Sequence, residues 1–191
     1  MPTSKTVASR LVDECVSAKA HYQIWWALGN RALPKYHQTM SEFSHVDFFH
    51  AASPGHFTLY LLSIAKIFDR DDRVAGVKAL RESLRAEGRG ALANRVASEL
   101  KSQAPLVTRV MRIRNRLLAH NDHSTTADEL FRINGVTPND LRDLIDAVSR
   151  ILNEVARELG LSERVFDSKR YESATLSMLE TLKFGVRARR A

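Results

Sequence analysis

Apolar residues recur along this chain at steps of three and four. The clearest run is Leu141, Leu144, Ile145, Val148, Ile151, Leu152, Val155 and Leu159, which shares one face of a helix over Asn139 to Leu159. Thr137 is placed to cap that helix, Pro138 suits its first turn, and Asp140 completes a capping box. Gly160 stops it. Val7, Leu11, Cys15, Ala18, Tyr22, Trp25 and Leu28 form a second such face, on a helix that should end before Pro34. A long helical region follows from Tyr36 to Phe68, and Ser53-Pro54-Gly55 should kink it or split it. Shorter helices are predicted over Ala75 to Ala86, Ala91 to Gln103, Pro105 to Ala119 and Lys169 to Phe184, before a basic tail holding Arg187, Arg189 and Arg190. Asn-Gly and Asp-Gly hairpin signals and sustained period-2 alternation are absent. The fold class is therefore all-α, an antiparallel bundle of long helices forming a single domain over 1–165. Residues 166–191 should pack on it or extend from it.

Length and composition narrow this further. A chain of 191 residues, 44% apolar and 27% charged, can bury a core without disulfides or a metal staple. Cys15 is the only cysteine and falls inside an amphipathic run, so it reads as a small core residue in a reducing compartment. The longest strongly apolar stretch, Leu59 to Ala65, is far short of a bilayer span, and Asp13 and Glu14 interrupt any signal-like start. The expectation is a soluble, cytoplasmic protein with no membrane partner. A net charge of +7 favours anionic partners only weakly.

One segment carries chemistry. From Lys101 to Asn121 there is no acidic residue, while Lys101, Arg109, Arg112, Arg114 and Arg116 are basic. On a helical wheel of roughly 100° per residue, Leu106, Val107, Val110, Met111, Ile113, Leu117 and Leu118 share an apolar arc, with Arg109, Arg112 and Arg116 opposite. Arg114 falls inside the apolar arc. An arginine there needs a carboxylate, for which Asp69 and Asp122 are the candidates, or it must face a subunit interface or a cleft. His120 follows at the end of the helix, where an imidazole can exchange protons near neutral pH.

Among the other candidates, His120, Asp122 and His123 could form part of a metal site. His45, His50 and His56 lack the i, i+4 spacing of paired ligands on one helix face. Trp25, Phe48 and Phe49 read as core. Glycine-rich phosphate loops, nucleophile elbows and zinc-finger spacings are absent from the sequence.

The run Arg114-Asn115-Arg116-Leu117-Leu118-Ala119-His120-Asn121-Asp122 resembles the signature of the HEPN superfamily, an Arg with a polar neighbour and a His a few residues on. The ending Ala-His-x-Asp, and the helix Leu61 to Asp69 closing in Phe68-Asp69, are similar to its abortive-infection U-type branch. The resemblance implies a metal-independent endoribonuclease without cofactors, acting as a toxin or antiviral abortive-infection effector. It would work on RNA as a homodimer, with an antitoxin or regulatory partner possible in principle. Carried over residue by residue, Arg114 would bind the scissile phosphate and His120 would move the proton of the ribose 2′-hydroxyl or of the leaving oxygen. Asn115 would orient His120 or the phosphate. Arg109, Arg112 and Arg116 would bind RNA, with Asp69 and Asp122 in support. Family members controlled through a modified tyrosine carry it two residues after the His. Asp122 stands there, so that control is not implied. The other reading is a non-catalytic HEPN-like helical module that binds RNA, nucleotide or a partner protein.

Overall fold

The computed structural model describes residues 2–71, 73–119, 127–164, 166 and 168–190, and among them all regular structure is helical. The helices are α1 (Ser4–Trp26), α2 (Leu33–Met40), α3 (Val46–Ile67), α4 (Val77–Ala86), α5 (Gly90–Lys101), α6 (Ala104–Ala119), α7 (Ala127–Asn134), α8 (Pro138–Glu158) and α9 (Arg170–Arg190). Among the described residues, no helix is long and apolar enough to cross a membrane. The chain divides into two compact units, Met1–Lys19 with Leu61–Phe166, and Ala20–Tyr60 with Asp167–Ala191.

The first unit is built around α8. All eight residues of its predicted apolar face are buried, Leu141, Leu144, Ile145 and Val148 completely. Thr137 caps it as the sequence suggests. Its Oγ1 accepts from the Asp140 amide at 3.2 Å, while the Asp140 carboxylate accepts from the Thr137 amide at 2.7 Å. Gly160, at φ +66°, takes the left-handed conformation that ends the helix. Helices α5 and α6 pack on α8, α4 on α5, and α7 on α6. From α1, Lys19 reaches Asp146 of α8 at 2.7 Å. Cys15 is buried beside Ser149, and burial pushes its thiol up to about 12, so it behaves as a core residue rather than a nucleophile.

In the second unit, α1 runs on from Trp26 through a π-helical turn, Ala27–Arg31, and Pro34 opens α2. Leu28, Ala32, Tyr36, Phe49 and Leu179 make its core. Tyr36 donates to Glu180 at 2.5 Å and Lys35 pairs with the same carboxylate at 2.9 Å, tying α2 to α9. His21 and His56 share a hydrogen bond between their Nδ1 atoms at 2.9 Å. Burial holds the His56 imidazole below its ordinary 6.5. The unfolded chain therefore takes up this proton more readily than the folded one, and stability should fall as pH drops from 6.5 toward the folded value. Thermal melts between pH 7.5 and 5 should show this loss, and His56→Gln should flatten it. A wild-type melting temperature that rises on acidification across that window would contradict it.

Four details depart from the sequence reading. The predicted Tyr36–Phe68 region does break, but at 41–45, and Pro54 sits inside α3. Pro54 is exposed, as is His50, whose carbonyl loses its donor, so water can satisfy it. Phe48 is 61% exposed, while Phe49 alone of the two joins the core of the second unit. Helix α7 escaped notice because eight residues give barely two turns of periodicity. The basic tail is the helical end of α9, which runs to Arg190.

Candidate functional site

Within the first unit, the end of α3 with α4, α5 and α6 surrounds an open groove of about 810 Å³. Helix α6 enters it along one stripe, Val107, Met111 and Arg114, at steps of four and three. The fully buried stripe of α6 is instead Val110 and Ile113, with Leu106 close to it. Arg114 thus lies at the edge of the apolar arc and not at its centre. That resolves the conflict read from the wheel, because Arg114 is half-buried and lines the groove instead of sitting in the core.

The loop closing α3 sets the opposite wall. Asp69 accepts from the Asp71 amide at 2.9 Å, which turns the chain. Gly76, the cap residue of α4, is buried so closely that a Cβ there would stand 2.8 Å from the Asp69 carbonyl oxygen. Backbone cannot yield as a flexible side chain does. Gly76→Ala should therefore destabilise the fold by about 1–3 kcal/mol, read as a lower urea midpoint. An unchanged midpoint would mean that this loop has slack.

Among the described residues, five cationic side chains line the groove, Arg70, Arg81, Lys101, Arg112 and Arg114, against one carboxylate, Asp69. Arg114 donates from Nη1 to the Asn115 side-chain oxygen at 2.9 Å. Its Nε is buried and has no hydrogen-bond partner. Among the described residues no carboxylate pairs with Arg114. The ion pair with Asp69 considered from the sequence is not formed, and Asp69 accepts from the Asp71 amide of its own loop. A buried donor without a partner costs about 1–3 kcal/mol, more when charged, so each such group asks for an explanation. Arg109, which does not line the groove, carries the same buried and unpartnered Nε.

Arg81 was not singled out from the sequence. It comes from α4, one turn after Val77, and its Nε is likewise buried without a partner. Its signal is slight, since an arginine beside Leu80 on an amphipathic helix is what any flanking position would show. Arg112 and Asn115 line the groove as well. Arg109 does not. Its Nη1 donates to the Gly135 carbonyl at 2.9 Å, holding the turn between α7 and α8 against α6. Arg116 is exposed and outside the groove. His120, Asp122 and His123 lie outside the described residues. The groove thus brings together Arg114, Asn115, Arg112 and Asp69, adds Arg81, and leaves Arg109 in a structural contact.

Comparison with curated proteins and with solved structures returns no match. The family model of AbiU2, a HEPN family, matches residues 5–175. That span takes in nearly all of the helical order described above, including α3, which leads directly into Phe68-Asp69, and the helix that carries Arg114 and Asn115. The chain belongs to the AbiU2 family of HEPN proteins.

Proposed function

We propose that this chain, a HEPN protein of an abortive-infection family, is a metal-independent endoribonuclease acting as a toxin or antiviral effector. The observation that carries the reading is Arg114, a half-buried arginine without a described carboxylate partner, lining a groove rich in positive charge. Asn115, which lines the same groove, accepts from Nη1 of its guanidinium. A planar fork of donors matches the two non-bridging oxygens of a phosphodiester and strengthens its grip as charge builds there.

RNA brings its own nucleophile. In the proposed reaction the ribose 2′-oxygen attacks the adjacent phosphorus and gives its proton to one imidazole. The bond from phosphorus to the 5′-oxygen breaks, and that oxygen takes a proton from a second imidazole. The products are a 2′,3′-cyclic phosphate and a free 5′-hydroxyl, with no net oxidation. One His120 cannot serve both ends at once, so a two-fold homodimer that brings two copies into one cleft completes the scheme. Arg112, exposed at the same groove, would hold neighbouring phosphates. Arg109 is reassigned to the fold on the strength of its bond to Gly135.

Purified protein incubated with single-stranded RNA in EDTA tests the reading. Cyclic-phosphate ends are expected, a strand with deoxyribose at the cut position should be inert, and His120→Ala should be inactive. Cleavage of DNA, or activity that needs added magnesium or zinc, would overturn the mechanism and favour a metal held by His120, Asp122 and His123. Binding of RNA without any cleavage would favour the non-catalytic module.

A further inference from the structure

We infer that Arg81 and Arg114 together clamp a single phosphate of a single-stranded RNA, and that the apolar wall beside them takes the adjoining base. This rests on the reading of the groove as an RNA site, but it assigns a residue which the Arg-and-His motif does not contain.

Three observations converge. Two of the guanidinium groups that line the groove have a buried Nε with no hydrogen-bond partner, and they come from different helices, Arg81 from α4 and Arg114 from α6. No described carboxylate neutralises either of them, and the one described acid on the groove wall, Asp69, accepts from its own loop. The remaining wall is apolar and only half-buried, with Phe68, Val107 and Met111 facing the same space.

Two forks from two helices suit a tetrahedral oxyanion better than a carboxylate, because several oxygens can each accept from a different direction. Like charges left unpaired in a shared groove repel each other, and an anion between them removes that repulsion. Phe68 and Met111 offer a flat, polarisable surface to a base, which stacks without regard to sequence. Lys101 and Arg112 are exposed on the same groove and extend the positive path beyond the clamp.

The test reads binding and not turnover. A fluorescein-labelled 2′-O-methyl oligoribonucleotide, which has no free 2′-hydroxyl to attack, is titrated with the full chain by anisotropy at several salt concentrations. Arg81→Gln should weaken binding about tenfold and lower the slope of log K against log salt by about 0.7, the value for one phosphate contact on a single strand. Arg81→Met, which keeps an apolar stem of similar length, should do the same, and serves if the glutamine variant does not fold by circular dichroism. Arg150→Gln removes an equal charge from an exposed position of α8 outside the groove and should leave binding near wild type.

Wild-type affinity and slope in both Arg81 variants, or an equal loss in Arg150→Gln, would overturn the inference. So would a wild-type protein that ignores the oligonucleotide but binds adenosine 5′-monophosphate through Arg81, since the ligand would then be a free nucleotide. Failure of the ribonuclease reading has a different signature. Ordinary RNA would stay intact while the methylated strand still bound in an Arg81-dependent way.

Discussion

Arg114→Ala is expected to lower RNA cleavage by about 10²–10³-fold, the usual loss when one preorganised donor to a developing oxyanion is removed. His120→Ala should cost about 10²–10⁴-fold, the range for a general acid or base. The two should not multiply in the double variant, because both serve one transition state. The fold should survive Arg114→Ala, with melting temperature as the control: the substitution removes a guanidinium whose Nε has no partner and breaks no ion pair among the described residues. Arg116→Ala should leave cleavage within a few-fold of wild type, since Arg116 is exposed and outside the groove. Cleavage rates measured at saturating RNA check all four. Loss in Arg116→Ala with full activity in Arg114→Ala would mean that the wrong arginine carries the phosphate.

The second large effect concerns stability. Leu144→Ala should destabilise the protein by about 2–5 kcal/mol, since Leu144 is fully buried on α8 and its removal leaves a cavity as well as lost transfer energy. Against a total of about 5–15 kcal/mol for an ordinary domain, that is a large share. Phe48→Ala removes more atoms but should cost within about 0.5 kcal/mol, as Phe48 is mostly exposed. Urea titrations of the two variants side by side give the comparison. A larger loss for Phe48 than for Leu144 would contradict the burial described here. Because α6 packs on α8, the Leu144 variant should also loosen the groove and weaken RNA binding at temperatures where the fold is still populated.

Helix class and helix faces were legible in the sequence for a local reason. A residue's face depends only on its own position in a 3.6-residue repeat, so the apolar run of α8, its Thr137 cap and its Gly160 stop could be read without any partner in view. The resemblance to the U-type HEPN branch was legible too, in Phe68-Asp69 and in the run from Arg114, and the AbiU2 match over 5–175 bears it out. Adjacency was not legible. That Arg81 of α4 shares a groove with Arg114, that Arg109 is spent on the Gly135 carbonyl, and that α9 belongs with residues 20–60 all depend on which helices pack together. A wheel projects one helix at a time and cannot say what lies across from each arginine. Only packing decides which guanidinium finds a carbonyl, which meets water, and which lines a groove.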